Sequence, residues 1–202
     1  MRSHQNFRSF KRWQSTRATI LLPSIVLSLG LATVSTEGRS TAMDITSLSE
    51  RGFEIELAVT CEGEPEEVFK RFTDDVGSWW SADHTYSGDA KNLAIESRPG
   101  GRFWERFPDG GGVEHLRVVM VQPGKTLRMS GGIGPLQEFA VSGSLTVIFE
   151  EGEDQKTKVR VKYVVGGYSH EGLTRWGIPV DEVLKEQLER FQNWCAKQTK
   201  TD

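Results

Sequence analysis

Apolar and polar residues alternate at 53–60, FEIELAVT. Phe53, Ile55, Leu57 and Val59 fall on one side, and Glu54, Glu56, Ala58 and Thr60 on the other. A period of two with one wet face predicts a strand of an antiparallel sheet. The period then changes. GEPEEVFKRF at 63–72 puts Val68, Phe69 and Phe72 on one helical face. Pro65 suits the first helical position, Glu66 and Glu67 suit the positive end of the helix dipole, and Gly77 is a terminator. A run of strands follows: LAIES (93–97), GRFWERF (101–107), EHLRVVMV (114–121), TLRMSGG (126–132), VSGSLTVIFEE (141–151) and TKVRVKYVVGG (157–167). Turn signals separate most of them, at Arg98-Pro99-Gly100, DGGG (109–112), Gln122-Pro123-Gly124 and GEDQ; GPLQEF is predicted as a loop. In the last strand Val159, Val161, Tyr163 and Val165 alternate with Arg160 and Lys162. Hairpin spacings of this kind build a meander.

From Pro179 to about Lys197 the period returns to 3.6. Val180, Val183, Leu184, Leu188, Phe191, Trp194 and Cys195 form an apolar stripe, and Glu182, Lys185, Glu186, Glu189, Arg190 and Lys197 lie opposite. Such a helix runs about 28 Å, long enough to cross a sheet. The fold class is therefore α+β: a curved antiparallel sheet of about six to seven strands wrapped around a long C-terminal helix. A sheet gripping one helix leaves a gap between them, and that gap is the natural ligand cavity.

The N-terminus reads differently. Residues 1–17 are basic, 18–34 (ATILLPSIVLSLGLATV) are apolar or small, and small polar residues follow. These are the three parts of an export signal, assigned to 1–36, with a flexible linker at 37–50 and the domain at 51–199. The protein is expected to be exported, periplasmic or secreted. The apolar run is at the short end for spanning, where about 20 residues are needed. If it is retained it becomes a membrane anchor, the one membrane contact expected; a transit peptide or misassigned start is the remaining alternative.

Charge narrows the partners. The net charge is −3, but Arg2, Arg8, Lys11, Arg12 and Arg17 precede the first acid, Glu37. Without those five the chain carries 20 basic against 28 acidic residues, a net charge of −8. A body this acidic is a poor partner for nucleic acid, whose affinity rests on Lys and Arg neutralising phosphates. The histidines His4, His84, His115 and His170 show no metal-ligand spacing. Two cysteines without a C-x-x-C give no zinc motif. No G-x-S-x-G elbow or phosphate-cradling loop is present. No cofactor or metal is implied. Cys61 and Cys195 are expected as two buried thiols, a disulfide being the alternative in an oxidising compartment.

The ring-rich segment GSWWSADHTY (77–86) is the most unusual feature. Trp79 and Trp80 either wall a ligand site or close the core; adjacent residues do not readily face one way, so one is expected to plug and the other to rim the opening. His84 and Tyr86 can act as acid or base, but a loop histidine is usually solvated. On strand 101–107 the set Phe103, Glu105 and Phe107 is more apolar than Arg102, Trp104 and Arg106, so it is assigned inward. Glu105 then points at an apolar interior and needs a partner, which His115 or Arg117 on the next strand can supply. That cluster is either the chemistry of an enzyme or a structural ion pair. Tyr168, His170 and Trp176 lie in a glycine-rich loop before the final helix, GGYSHEGLTRWGIPV, a second wall of the same mouth.

Three stretches, PEEVFKRFTDDVGSWW (65–80), ESRPGGRFWERF (96–107) and the amphipathic end at 178–197, resemble the helix-grip or SRPBCC (START-like) superfamily. Within it the chain is similar to the activator of heat-shock-protein-90 ATPase homologue group: P-x-x-V-[WF] opens the first helix, a W-W pair follows, and a P-G-G turn precedes an aromatic strand. The resemblance covers 53–198. It implies a cavity protein with a small apolar molecule as partner; the ligand-binding residues expected from the chain's own pattern are Trp80, Tyr86, Phe103, Glu105, Met129, Tyr163, Tyr168 and Trp176. It names no activity, since the superfamily holds carriers, cyclases and hydroxylase subunits alike. The export signal sits badly with a cytosolic co-chaperone role. Binding without transformation is the first expectation. A cyclase, isomerase or hydrolase using Glu105 with His115 or Arg117 is the alternative, and a protein-interaction module with a filled core is the third.

Overall fold

The computed structural model describes residues 44–198; the stretch 1–36 assigned to an export signal and most of the assigned linker lie outside them. Among the described residues eight strands form one antiparallel sheet. They are β1 (Ile45–Ser49), β2 (Gly52–Glu62), β3 (Leu93–Ile95), β4 (Arg102–Arg106), β5 (Gly112–Gln122), β6 (Thr126–Ser130), β7 (Ala140–Glu151) and β8 (Lys156–Tyr168), in the order β1-β2-β8-β7-β6-β5-β4-β3. Between β2 and β3 come α1 (Pro65–Asp74) and a single turn α2 (Val76–Trp79); α3 (Thr174–Gln198) ends the domain. The 3.6-period helix and the period-two strands therefore assemble as the gripped helix and curved sheet expected.

The sheet's centre shows why. Val159, Val161, Tyr163 and Val165 of β8 pair with Val59, Leu57, Ile55 and Phe53 of β2 on one side. Phe149, Val147, Leu145 and Gly143 of β7 flank them on the other. All but Val59 and Gly143 are among the core's buried apolar side chains. The opposite face is charged: Lys162 Nζ reaches Glu54 at 2.7 Å and Glu56 at 2.8 Å. Register shifts at Phe103/Trp104 and Val118/Met120 bend the strands as bulges do. Gly143 permits a close approach that the curvature needs. A Cβ there would lie 2.5 Å from the Gly131 carbonyl oxygen and 2.9 Å from the Tyr163 hydroxyl. That hydroxyl donates to Gly131 O at 2.9 Å and accepts from Ile133 N–H at 3.0 Å.

Gly77, expected as a terminator, lies inside the turn α2, β3 ends at Ile95 rather than at 97, and three further features differ from the pattern reading. Residues 45–49, assigned to the linker, form the edge strand β1, raising the strand count to eight; ITSLS has no clean alternation, and its place comes from pairing with β2 (Leu48↔Phe53). GPLQE at 134–138 is a 3₁₀ turn. And α3 begins five residues before Pro179, which lies inside the helix. A proline there forgoes one helical hydrogen bond, offset by burial of Trp176, Gly177 and Val180. Gly177 lets β1 approach: a Cβ there would sit 2.5 Å from Leu48 Cδ1.

α3 lies across β2, with Gln192 Nε2 donating to Thr60 O at 2.8 Å. Cys61 and Cys195 face each other there as buried thiols in hydrogen-bond contact. Their interaction and burial push the Cys61 thiol up, and the contact with Cys61, helped by the Arg71 guanidinium, lowers Cys195.

Candidate functional site

The ring-rich segment begins as α1 ends. α1 faces the core with Val68, Phe69 and Phe72. Trp79 closes the single turn α2, and Trp80 caps it in extended conformation (ψ 145°). That change of backbone lets two adjacent indoles both turn inward: Trp79 is 3% exposed and Trp80 8%. Trp79 packs on Phe72 (ring centroids 5.0 Å) and Phe191 of α3 (5.2 Å), and Trp80 on Phe103 of β4 (5.3 Å). The expected division into plug and rim is thus modified: both rings are core. Each indole N–H is satisfied locally, Trp79 Nε1 by Phe72 O at 3.3 Å and Trp80 Nε1 by His84 O at 3.1 Å.

A cavity of about 40 Å³ remains between the indoles, the sheet and α3. Phe72, Trp79 and Trp80 line one end; Ile95, Phe103, Leu116, Met129, Ile133, Leu145 and Val161 form the sheet side; Leu184, Gln187 and Leu188 form the helix side. Every lining side chain but Gln187 is apolar. A buried water needs about 10–15 Å³, so there is room for roughly three.

Beside this cavity lies a buried polar cluster. Glu105 is inward on β4, as the alternation predicts, and is 0% exposed. His115 Nε2 on β5 meets its carboxylate at 3.1 Å. The backbone N–H groups of Tyr86 (3.0 Å) and Ser87 donate to the two carboxylate oxygens. Burial pushes the Glu105 acid up, but the hydrogen bonds from His115, Ser87 and Tyr86 outweigh it and hold the carboxyl below its usual range. The Tyr86 ring stacks on His115 (centroids 5.9 Å, 29° between planes) and is half exposed. Glu105 therefore staples the loop that follows the tryptophans onto β4. A second staple joins that loop to α3: His84 Nε2 to Glu186 at 3.0 Å, and Ser81 N–H to Gln187 Oε1 at 2.7 Å.

Of the sequence-predicted ligand residues, Trp80, Phe103 and Met129 line the cavity. Glu105 and Tyr86 belong to the staple. Tyr163 is buried with its hydroxyl bound to Gly131 and Ile133, and burial pushes that hydroxyl's pKa well above the ordinary tyrosine range. Trp176 packs on Phe139 (5.3 Å) away from the cavity, and Tyr168 is 67% exposed. Of the catalytic candidates, Glu105 and His115 come together. Arg117 does not join them; it pairs with Glu114 at 2.6 Å and donates to Gly100 O. Gln187 was not among the candidates, although the signal was there: it stands seven residues after Val180 and three after Leu184, on the apolar stripe. Among the described residues no group of three or more His, Cys, Asp or Glu is placed to hold a metal ion.

Residues 62–195 match the family described as activator of Hsp90 ATPase homolog 1-like protein. The chain belongs to that family. The match spans α1, the tryptophan pair, the cavity strands and nearly all of α3, so the residues that build the site are family sequence. Solved structures agree on the helix-grip, SRPBCC-type fold. CalC, a self-sacrificing resistance protein from Micromonospora echinospora, aligns at 22% identity and TM-score 0.51 over 72% of this chain and 95% of its own. A protein from Mesorhizobium loti aligns at 15% and 0.50 over 69% and 94%. One from Nitrosomonas europaea aligns at 13% and 0.50 over 76% and 99%. No curated protein matches the chain.

Proposed function

We propose that this protein binds a small, largely apolar molecule in the cavity between the sheet, the tryptophan pair and α3, and releases it unchanged. The observation that carries this is the cavity's wall: twelve apolar side chains and one amide, in a family fold whose sheet and helix meet at that place. At about 40 Å³ it is far below the roughly 300 Å³ of an ordinary ligand pocket. A guest of more than a few heavy atoms enters by displacing Met129, which is flexible, or by turning Trp80 outward with its loop.

The enzyme reading has less support. Glu105, its candidate base, already accepts from three donors and does not line the cavity. A base committed to structural hydrogen bonds is poorly placed to take a substrate proton. The basic stretch and apolar run before residue 35 support export, with membrane attachment through that run if it is kept; fractionation of the host and the mass of the mature chain test this.

The test of binding is native mass spectrometry of protein purified from its own host, joined to titration of tryptophan fluorescence with small apolar compounds. A co-purifying adduct, or a saturable change lost in Leu184→Trp (which fills the cavity), supports the reading. No adduct and no saturable change across the panel would overturn it in favour of an interaction protein with a filled core.

A further inference from the structure

The cavity's single polar side chain is on the wrong face for a solvated residue. Gln187 occupies the apolar stripe of α3 between Leu184 and Leu188 and is 2% exposed. Its Oε1 accepts the Ser81 backbone N–H at 2.7 Å. That bond orients the amide, because a backbone N–H is satisfied only by the oxygen. The NH₂ is therefore turned the other way, and Nε2 is buried with no hydrogen-bond partner. Buried amide donors are rarely left unpaired. The remaining N–H donors on the wall, the two indoles, are already satisfied. A water is a poor answer: ordered buried waters make about three hydrogen bonds, and this wall offers one free polar atom.

We propose that Gln187 Nε2 is the anchoring donor for the guest, and that the guest is a neutral apolar molecule carrying one hydrogen-bond acceptor, of the ketone, ester or lactone class. Neutrality follows from the wall. It holds no Lys, Arg or His, so a carboxylate or phosphate would be desolvated without a counter-charge. A single acceptor follows from the single donor. This inference rests on the proposed ligand binding and gives it a chemical class.

The test uses two probes of the same shape, cyclopentanone and methylenecyclopentane, with affinities measured by tryptophan fluorescence on the full mature chain. Solvation differences between the probes cancel when one protein is compared with another. Gln187→Met, which conserves shape and removes the donor, is expected to shift the ketone-to-alkene affinity ratio about fivefold toward the alkene. Gln187→Glu keeps an acceptor for Ser81 and is expected to weaken the ketone as well, so loss of the Ser81 bond is not the cause. A readout that needs no variant to bind is the Gln187 side-chain amide in a proton–nitrogen correlation spectrum: it moves downfield with cyclopentanone and not with methylenecyclopentane. If both probes bind and neither the ratio nor the amide shift distinguishes them, the anchor is wrong while the cavity stands. If neither probe binds the unmodified protein at any attainable concentration, both the anchor and the binding reading fall.

Discussion

Two halves of one loop are tied down by opposite means. At 79–80 the chain is held by rings: Trp79 and Trp80 sit in a chain of contacts through Phe72, Phe191 and Phe103, all at 5.0–5.3 Å. Six residues later, at 86–87, it is held by a charge: one carboxylate gathers two backbone N–H groups and an imidazole. The apolar half is insensitive to pH and tolerant of small shifts, because dispersion contacts are many and individually weak. The polar half is all-or-none in geometry and titrates. A loop fixed firmly at its apolar end and conditionally at its polar end opens from the polar end first. The cavity roof therefore stays closed when the staple releases, unless Trp80 follows.

The largest test of that contrast is Trp79→Ala. Removing a buried tryptophan that fills the angle between α1, α2 and α3 is expected to cost about 3–5 kcal/mol, seen as a lower denaturant midpoint with unchanged slope. Glu105→Ala comes next. It strands His115 and two N–H donors in a buried place, and breaking a buried pair costs about 3 kcal/mol. The two variants should separate by their local effects: Trp79→Ala loosens α1 against α3 in amide exchange, and Glu105→Ala exposes residues 84–90 while α1 keeps its protection. Equal exposure of both regions in both variants would mean that the loop is one cooperative unit.

Acid titration is the milder form of the second experiment. The Glu105 carboxyl is lowered in the folded protein by His115, Ser87 and Tyr86 against an opposing burial effect. Its stabilisation is present above the unfolded value of about 4.3 and is lost as pH falls through the folded value. Exposed pairs contribute with the same sign, since Lys162 holds Glu54 down and Arg102 holds Glu96 down. Asp181 acts in reverse: burial, then the nearby Asp44 charge, pushes its carboxyl up. The decisive quantity is therefore the difference between the parent and Glu105→Gln. The parent should lose stability more steeply below about pH 4.5, and the curves should draw together as acid protonates the parent's carboxyl. Trp79→Ala should run parallel to the parent throughout.

The contrast also explains what could be read beforehand. The inward set Phe103 and Glu105 was legible because a strand's faces alternate strictly, so one apolar residue fixes the side of its neighbours. The α3 stripe was legible for the same reason at a different period. The failures are tertiary. β1 has no pattern of its own and exists because β2 offers an edge. Pro179 reads as a helix start by local rules, yet packing of Trp176 and Gly177 onto the sheet extends the helix past it. The pairing of Glu105 with His115 rather than Arg117 depends on a bulge at Phe103/Trp104, which shifts the facing residue and leaves no mark in composition. Gln187 was the opposite case: its spacing puts it on the stripe, but an amide adds nothing to an apolar pattern, so the period alone does not pick it out.

The smallest expected effect sharpens the comparison most. Tyr86 brings both kinds of contact to the polar half, since its N–H feeds Glu105 and its ring covers His115 at 5.9 Å. Tyr86→Ala keeps the N–H and removes the ring. A stacked pair contributes about 0.5–1.5 kcal/mol beyond area burial, and this one is half open to water, so a loss near 1 kcal/mol is expected. The more telling readout is the histidine itself. With the ring gone, water reaches the Glu105–His115 pair, and proton exchange at His115 followed by NMR should quicken while the Ser87 amide stays protected. If the Ser87 amide loses protection to the same degree, the stacked ring and not the carboxylate is what holds the loop, and the polar half of the comparison reduces to the apolar one.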